Sequence, residues 1–183
     1  MKHIIKPAFS LFFIAAITTG ALSLVHSLTL EPIRNQHRIT MERTLAEVLP
    51  RADSFREIEA ALSGNIVRIF EGTRGGDKTG YVVELASGGY SGPINVMVGI
   101  SSEENNIAGM RILRHSETPG LGSNIAGANF FNRFNGLGLN QLRVVKSSPG
   151  AGEIEAITSA TISTNAVVNA VNEAVEWYKR GGF

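Results

Sequence analysis

The sequence predicts an α+β domain standing behind a single membrane-spanning helix. Three features carry that reading: an uninterrupted apolar run near the N-terminus, a series of short β-branched and aromatic segments in the middle, and one long amphipathic pattern near the end. In 183 residues, 43% hydrophobic and 18% charged, there is room for one ordinary globular domain beside the apolar run. The chain has no cysteine, which excludes thiolate metal sites, iron–sulfur ligation, a cysteine nucleophile and any disulfide framework. Seventeen Lys and Arg against 16 Asp and Glu leave a net charge of +1, so no basic footprint for nucleic acid exists.

Taken in order, Ala8 to Leu30 contains no Asp, Glu, Lys or Arg. As a helix this stretch rises about 34 Å, enough to cross the hydrocarbon core. An uncleaved anchor is expected over 1–30. A cleaved signal peptide is the rival, with Lys2 and Lys6 as its basic region and Val25 and Ser27 as small residues before a cut. Lys2 and Lys6 favour a cytoplasmic N-terminus, although Arg34, Arg38 and Arg43 oppose it. The body of the chain is then expected on the outer face of the inner membrane.

A helical stalk is expected over 31–64. Met41, Leu45, Val48 and Leu49 recur at helical spacing until Pro50, and Phe55, Ile58 and Leu62 suggest another turn or two. The domain proper, 65–183, opens with Ile66 to Phe70 and Tyr81 to Leu85, read as a hairpin with a long loop from Gly72 to Gly80. Ile94 to Ser101 and Ile107 to Leu113 form a second pair, and Leu142 to Val145 and Ile154 to Ile157 are further short strands. From Thr164 to Lys179, Val167, Val168, Val171, Ala174, Val175 and Tyr178 share one face of the last helix.

Few stretches carry chemistry. Gly72 to Thr79 nearly matches a phosphate loop, but Asp77 stands at the second glycine position and a strand follows where a helix is needed, so a solvated hairpin loop is the expectation. Gly120-Leu121-Gly122 and Gly136-Leu137-Gly138 lack the strand and helix of a dinucleotide turn. His115 and Ser116 have no orienting acid in view, which weakens a hydrolase reading. Beyond them, Glu117-Thr118-Pro119-Gly120-Leu121-Gly122 is either a plain strand-to-loop turn or a segment whose glycines let backbone approach a ligand. Thr158, Ser159, Thr161, Ser163 and Thr164 lead into the last helix. Ser163 or Thr164 can serve as N-cap, while a helix N-terminus also accommodates phosphate.

These last two stretches carry a resemblance. Thr158-Ser159-Ala160-Thr161, followed by Ile162-Ser163, resembles the [ST]-G-A-T motif of the FMN-binding domain family, and Gly89 to Ile94 and His115 to Gly122 resemble that family's further segments. The resemblance implies FMN held covalently by a phosphoester on the last threonine of the motif, here Thr161, and installed by a flavin transferase. With its anchor, the whole chain resembles the RnfG family of Rnf-type complexes, which couple electron flow between ferredoxin and NAD to ion transport. The similar NqrC family of sodium-translocating NADH:quinone reductases is usually longer, and a non-redox anchored binding module is the alternative from another class. The implied function is a membrane-anchored electron carrier whose partners are the other Rnf subunits, the flavin transferase and membrane lipid. Ser159 stands at the family's usual glycine, and an ordinary φ is expected there.

Overall fold

The computed structural model describes residues 2–59 and 64–181. Two compact units make up the chain, Met1–Glu42 and Arg43–Phe183.

The first unit is helical, the larger part of α1 (Lys2–Val48). Within α1, Ser10–Ser27 is long and apolar enough to cross a membrane, and none of its residues is buried. The hydroxyls of Thr18, Ser27 and Thr29 donate to carbonyls one turn back, which satisfies them without water. This fits the expected anchor.

In the second unit, five antiparallel strands form a meander in the order β1-β2-β3-β4-β5: β1 (Ser54–Glu57), β2 (Ile66–Arg74), β3 (Asp77–Gly88), β4 (Pro93–Ser101) and β5 (Asn106–Arg114). Phe55 is therefore in an edge strand paired with Gly72, not in a second helical turn, while Leu62 lies outside the described residues. A four-residue segment with Pro50 before it cannot continue α1, and the free edge of β2 takes it up. The long loop expected between β2 and β3 is also absent. Gly75 and Gly76, with φ of 58° and 97°, make a two-residue turn, and both strands run up to it through a bulge at Gly72 and Thr73. The near-match to a phosphate loop thus lies in a hairpin.

Alternation on β3 and β4 explains the core. Tyr81, Val83, Leu85, Val96, Val98 and Ile100 pack against Val167, Val171 and Ala174 of α3 (Thr161–Lys179), where the aliphatic stripe of that helix lands. Val82 and Met97 point to the other face and are fully buried too. On that face the end of α1 lies against Gly109 and Gly99: a Cβ on Gly109 would stand 3.0 Å from Val48 Cα, and one on Gly99 would collide with the Val48 carbonyl.

The glycine-rich middle, for which no element was expected, forms a 3-10 turn (Gly122–Ala126), α2 (Ala128–Phe131) and a second 3-10 turn (Asn132–Phe134), anchored by fully buried Ile125 and Phe134. β6 (Arg143–Val145) and β7 (Glu153–Glu155) pair in parallel.

Candidate functional site

Three connections meet beside the N-terminus of α3. Gly88 pairs with Pro93 and Asn95 with Arg114, so the β3–β4 turn and the end of β5 leave the sheet at the same end. A cavity of about 540 Å³ lies between them, lined by Tyr90, Glu117, Thr118, Leu121, Gly122, Ser159, Ala160, Thr161, Ile162 and Ser163. Sequence reasoning named nine of these ten residues and missed Tyr90. Its signal was present in the resemblance of Gly89 to Ile94, from which no single residue had been chosen.

Glu117 organises the floor. Its carboxylate is buried, with Oε1 accepting from the Ser91 N–H at 2.9 Å and Oε2 from the Ser163 hydroxyl at 2.5 Å. Burial pushes this carboxyl up, but hydrogen bonds from Ser163, Ser91 and the Tyr90 backbone, together with nearby His115, outweigh it and hold the group below its ordinary value of 4.5. No room is left around it. A Cβ on Gly122 or on Gly89 would come within 2.5 Å of a Glu117 oxygen, which is why glycine stands at both positions. Gly120 differs: its φ is 75° and open space surrounds the missing Cβ, so this glycine serves the turn and not a close approach.

Above the floor, α3 begins at Thr161 with Ala160 as its N-cap residue and no side-chain cap. The expectation that Ser163 or Thr164 caps it is therefore corrected. Both are inside the first turn and buried, where the Thr164 hydroxyl donates to the Ala160 carbonyl and accepts from the Ile157 N–H, and the Ser163 hydroxyl is engaged by Glu117. The uncapped N–H groups of Thr161, Ile162 and Ser163 precede the first intrahelical bond, Thr164 N–H to Ala160 O at 3.0 Å. Among the described residues the exposed Thr161 hydroxyl has no hydrogen-bond partner, so it is open to the cavity.

Ser159 is a second correction, since its φ is 64° and not ordinary. It is the third residue of a turn closed by the Ala160 N–H on the Ile157 carbonyl at 2.9 Å, a position that glycine fills most easily when the left-handed conformation is required. Thr158 and Gly120 face a neighbouring groove of about 700 Å³ that includes Arg133 and Glu155, and Pro119 lines neither space. His115 Nδ1 accepts from the Glu117 N–H at 3.2 Å and, among the described residues, meets no carboxylate oxygen within hydrogen-bond distance, which leaves a hydrolytic triad without its acid.

The arrangement suits a flat ligand with a phosphate. Its volume lies within the range of small-molecule sites, free N–H groups at a helix N-terminus stabilise phosphate, and apolar side chains rim the opening.

Comparison with known proteins agrees. The FMN-binding domain family matches residues 89–176, a span that contains all three connections, and the RnfG N-terminal region matches residues 1–48. The chain is 33% identical to the G component of the ion-translocating oxidoreductase complex of Methanosarcina acetivorans, covering 96% of this chain and 95% of that one. It is 31% identical to the G component of the Na(+)-translocating ferredoxin:NAD(+) oxidoreductase complex of Acetobacterium woodii, covering 97% and 93%. The crystal structure of the C component of the Na(+)-translocating NADH-quinone reductase from Parabacteroides distasonis shares the fold, with a TM-score of 0.60 at 19% identity over 82% of this chain and 96% of that one. NqrC of Shewanella oneidensis does so at 0.53 and 20%, over 63% and 65%. A membrane-anchor helix followed by an FMN-binding domain along nearly the full length of such relatives places this chain in the RnfG family, the G components of ion-translocating oxidoreductase complexes.

Proposed function

We propose that this protein is a membrane-anchored electron carrier of an Rnf-type ferredoxin:NAD oxidoreductase complex, with FMN attached through its phosphate to Thr161. The observation that carries the reading is the partnerless Thr161 hydroxyl at an uncapped helix N-terminus, opening on a cavity rimmed by apolar side chains. Bound there, FMN supplies the reversible uptake and release of electrons, and the chain supplies position and electrostatics. The N–H groups at the start of α3 receive the phosphate, Leu121 and Ile162 exclude water from the ring, and Glu117 ties the loop at 117–122 to the helix. Pro119, Gly120 and Thr158 shape the surrounding turns. No acid–base residue of this chain is required.

A flavin transferase installs the group, and other subunits of the complex exchange electrons with it. Identities of 33% and 31% to the two G-component relatives, against 19% to NqrC of Parabacteroides distasonis, and the RnfG N-terminal match at residues 1–48 support RnfG over NqrC. Lys2 and Lys6 ahead of the apolar span favour a single-pass anchor in the inner membrane with the domain on its outer side. The test is Thr161→Ala in cells that contain the transferase. Wild-type protein is expected to show flavin fluorescence in a denaturing gel and the variant none; fluorescence that survives the substitution assigns the bond elsewhere.

A further inference from the structure

Outside α1, the exposed large hydrophobic side chains among the described residues are Val67, Tyr90, Leu121 and Ile162, and the last three all line the cavity beside Thr161. Scattered exposed hydrophobics are ordinary, but three from separate segments around one opening form a patch with a purpose. Ile162 is 55% exposed and Leu121 44%, whereas Tyr90, the one aromatic, is 71% exposed. A phenol ring so far out of the protein has little of its own packing to hold it, so its place depends on its backbone.

That backbone is held with care. The β3–β4 turn closes on itself through the Gly89 N–H and Gly92 carbonyl at 2.9 Å. Glu117 Oε1 then accepts a hydrogen bond from the N–H of Ser91, the residue after Tyr90, at 2.9 Å. Its other carboxylate oxygen takes the Ser163 hydroxyl at 2.5 Å, and so one buried side chain joins the turn that bears Tyr90 to the helical turn that bears Thr161. Gly89 in the turn and Gly122 in the carboxylate's own loop leave no room for a Cβ beside it, and the bare Gly122 also lets the Ser163 hydroxyl approach. A charged group retained at 5% exposure, with both oxygens spent on two different segments, fixes their spacing more firmly than apolar contact does.

We propose that Tyr90 is the aromatic wall of the cavity, set against the plane of the flavin ring, and that Glu117 is the positioning residue that holds it there. This rests on the reading of the cavity as a flavin site. An aromatic side chain suits the task because it offers a large flat face at the cost of only two torsions. Tyr90 and Thr161 then grip opposite ends of one ligand, the ring and the phosphate, and Glu117 sets the distance between the grips.

Flavin fluorescence reads the contact directly. A phenol in contact with a photoexcited flavin passes one electron to it and takes the same electron back, which quenches emission with no net oxidation. The full chain is extracted in detergent with its flavin attached, and the emission of the folded protein is divided by that of the same sample denatured, so that occupancy cancels. In the wild type this ratio is expected to be low. Tyr90→Phe keeps the ring but is far harder to oxidise, and the ratio should rise severalfold. Glu117→Gln, which replaces the charge-assisted bonds to Ser91 and Ser163 by weaker neutral ones and must reverse one of them, should raise it as well by loosening the turn. An unchanged ratio in Tyr90→Phe overturns the wall, with attachment at Thr161 still standing. A rise in Tyr90→Phe with none in Glu117→Gln overturns the positioning role. A wild-type chain that carries no flavin after expression with the transferase overturns the flavin reading and this inference with it.

Discussion

At the scale of single residues, the site turns on two positions whose state is unusual for their type, Ser159 and Glu117. Ser159 holds φ at 64°, which costs a non-glycine residue about 1 kcal/mol. Ser159→Gly is therefore expected to melt at or above the wild-type temperature, while Thr158→Gly, at a neighbour outside the left-handed region, should melt lower because glycine adds only unfolded-state entropy there. Equal losses in both would contradict a left-handed Ser159. The motif made the site legible, yet conformation was not, because serine carries no mark of positive φ and the turn that demands it is closed by backbone atoms alone. Glu117 adds a pH dependence. Its carboxyl is held below 4.5, so the stability it contributes is fully present above that value and is lost as pH falls through the lower folded-state value. Denaturant titrations of wild type and Glu117→Gln should thus differ most near neutrality, with the wild type more stable, and converge in acid. A gap that widens on acidification would reverse the assignment.

At the scale of elements, the hydrophobic pattern served best in the later part of the domain, even though β4 is buried on both faces from Val96 to Ser101. The β4–β5 pair and α3 alternate or repeat cleanly, and their expected bounds match the structure within a few residues. The hairpin before them was read with a loop too long because Thr73, Arg74, Asp77 and Lys78 are polar, although they are paired residues at the exposed tip of two long strands. Phe55 reads as helical in the sequence because a four-residue edge strand is too short to show a period of two. The seat of α1 was invisible for another reason: it is recorded in what Gly99 and Gly109 lack. Gly99→Val in full-length protein should cost about 3 kcal/mol or more, since the branched side chain must displace the backbone at Val48, the neighbour on that face of the sheet. Urea or guanidinium midpoints measure it, and a loss below roughly 0.5 kcal/mol would mean that the helix end is not seated on β4.

At the scale of the whole molecule, the chain divides its work between an apolar span, Ser10–Ser27, none of whose residues is buried, and a sheet domain whose cavity is assembled from three connections at one end. The whole lining of the cavity lies within residues 89–176, the span that the FMN-binding domain family matches. Of the cavity, the loop at 117–122 and the motif at 158–161 are legible in sequence as segments, and so is 89–94; that Tyr90 within it faces the same opening is not, because only the fold brings residues so far apart in sequence together. The central claim is a covalent bond between FMN and Thr161. Its most direct test is an intact mass of the denatured chain purified from cells that contain the transferase, followed by peptide mapping of the flavin. The account predicts one added FMN minus water, located on Thr161; an unmodified mass in a chain that is otherwise fully folded, or a flavin mapped to Thr158, Ser159, Ser163 or Thr164, would contradict it.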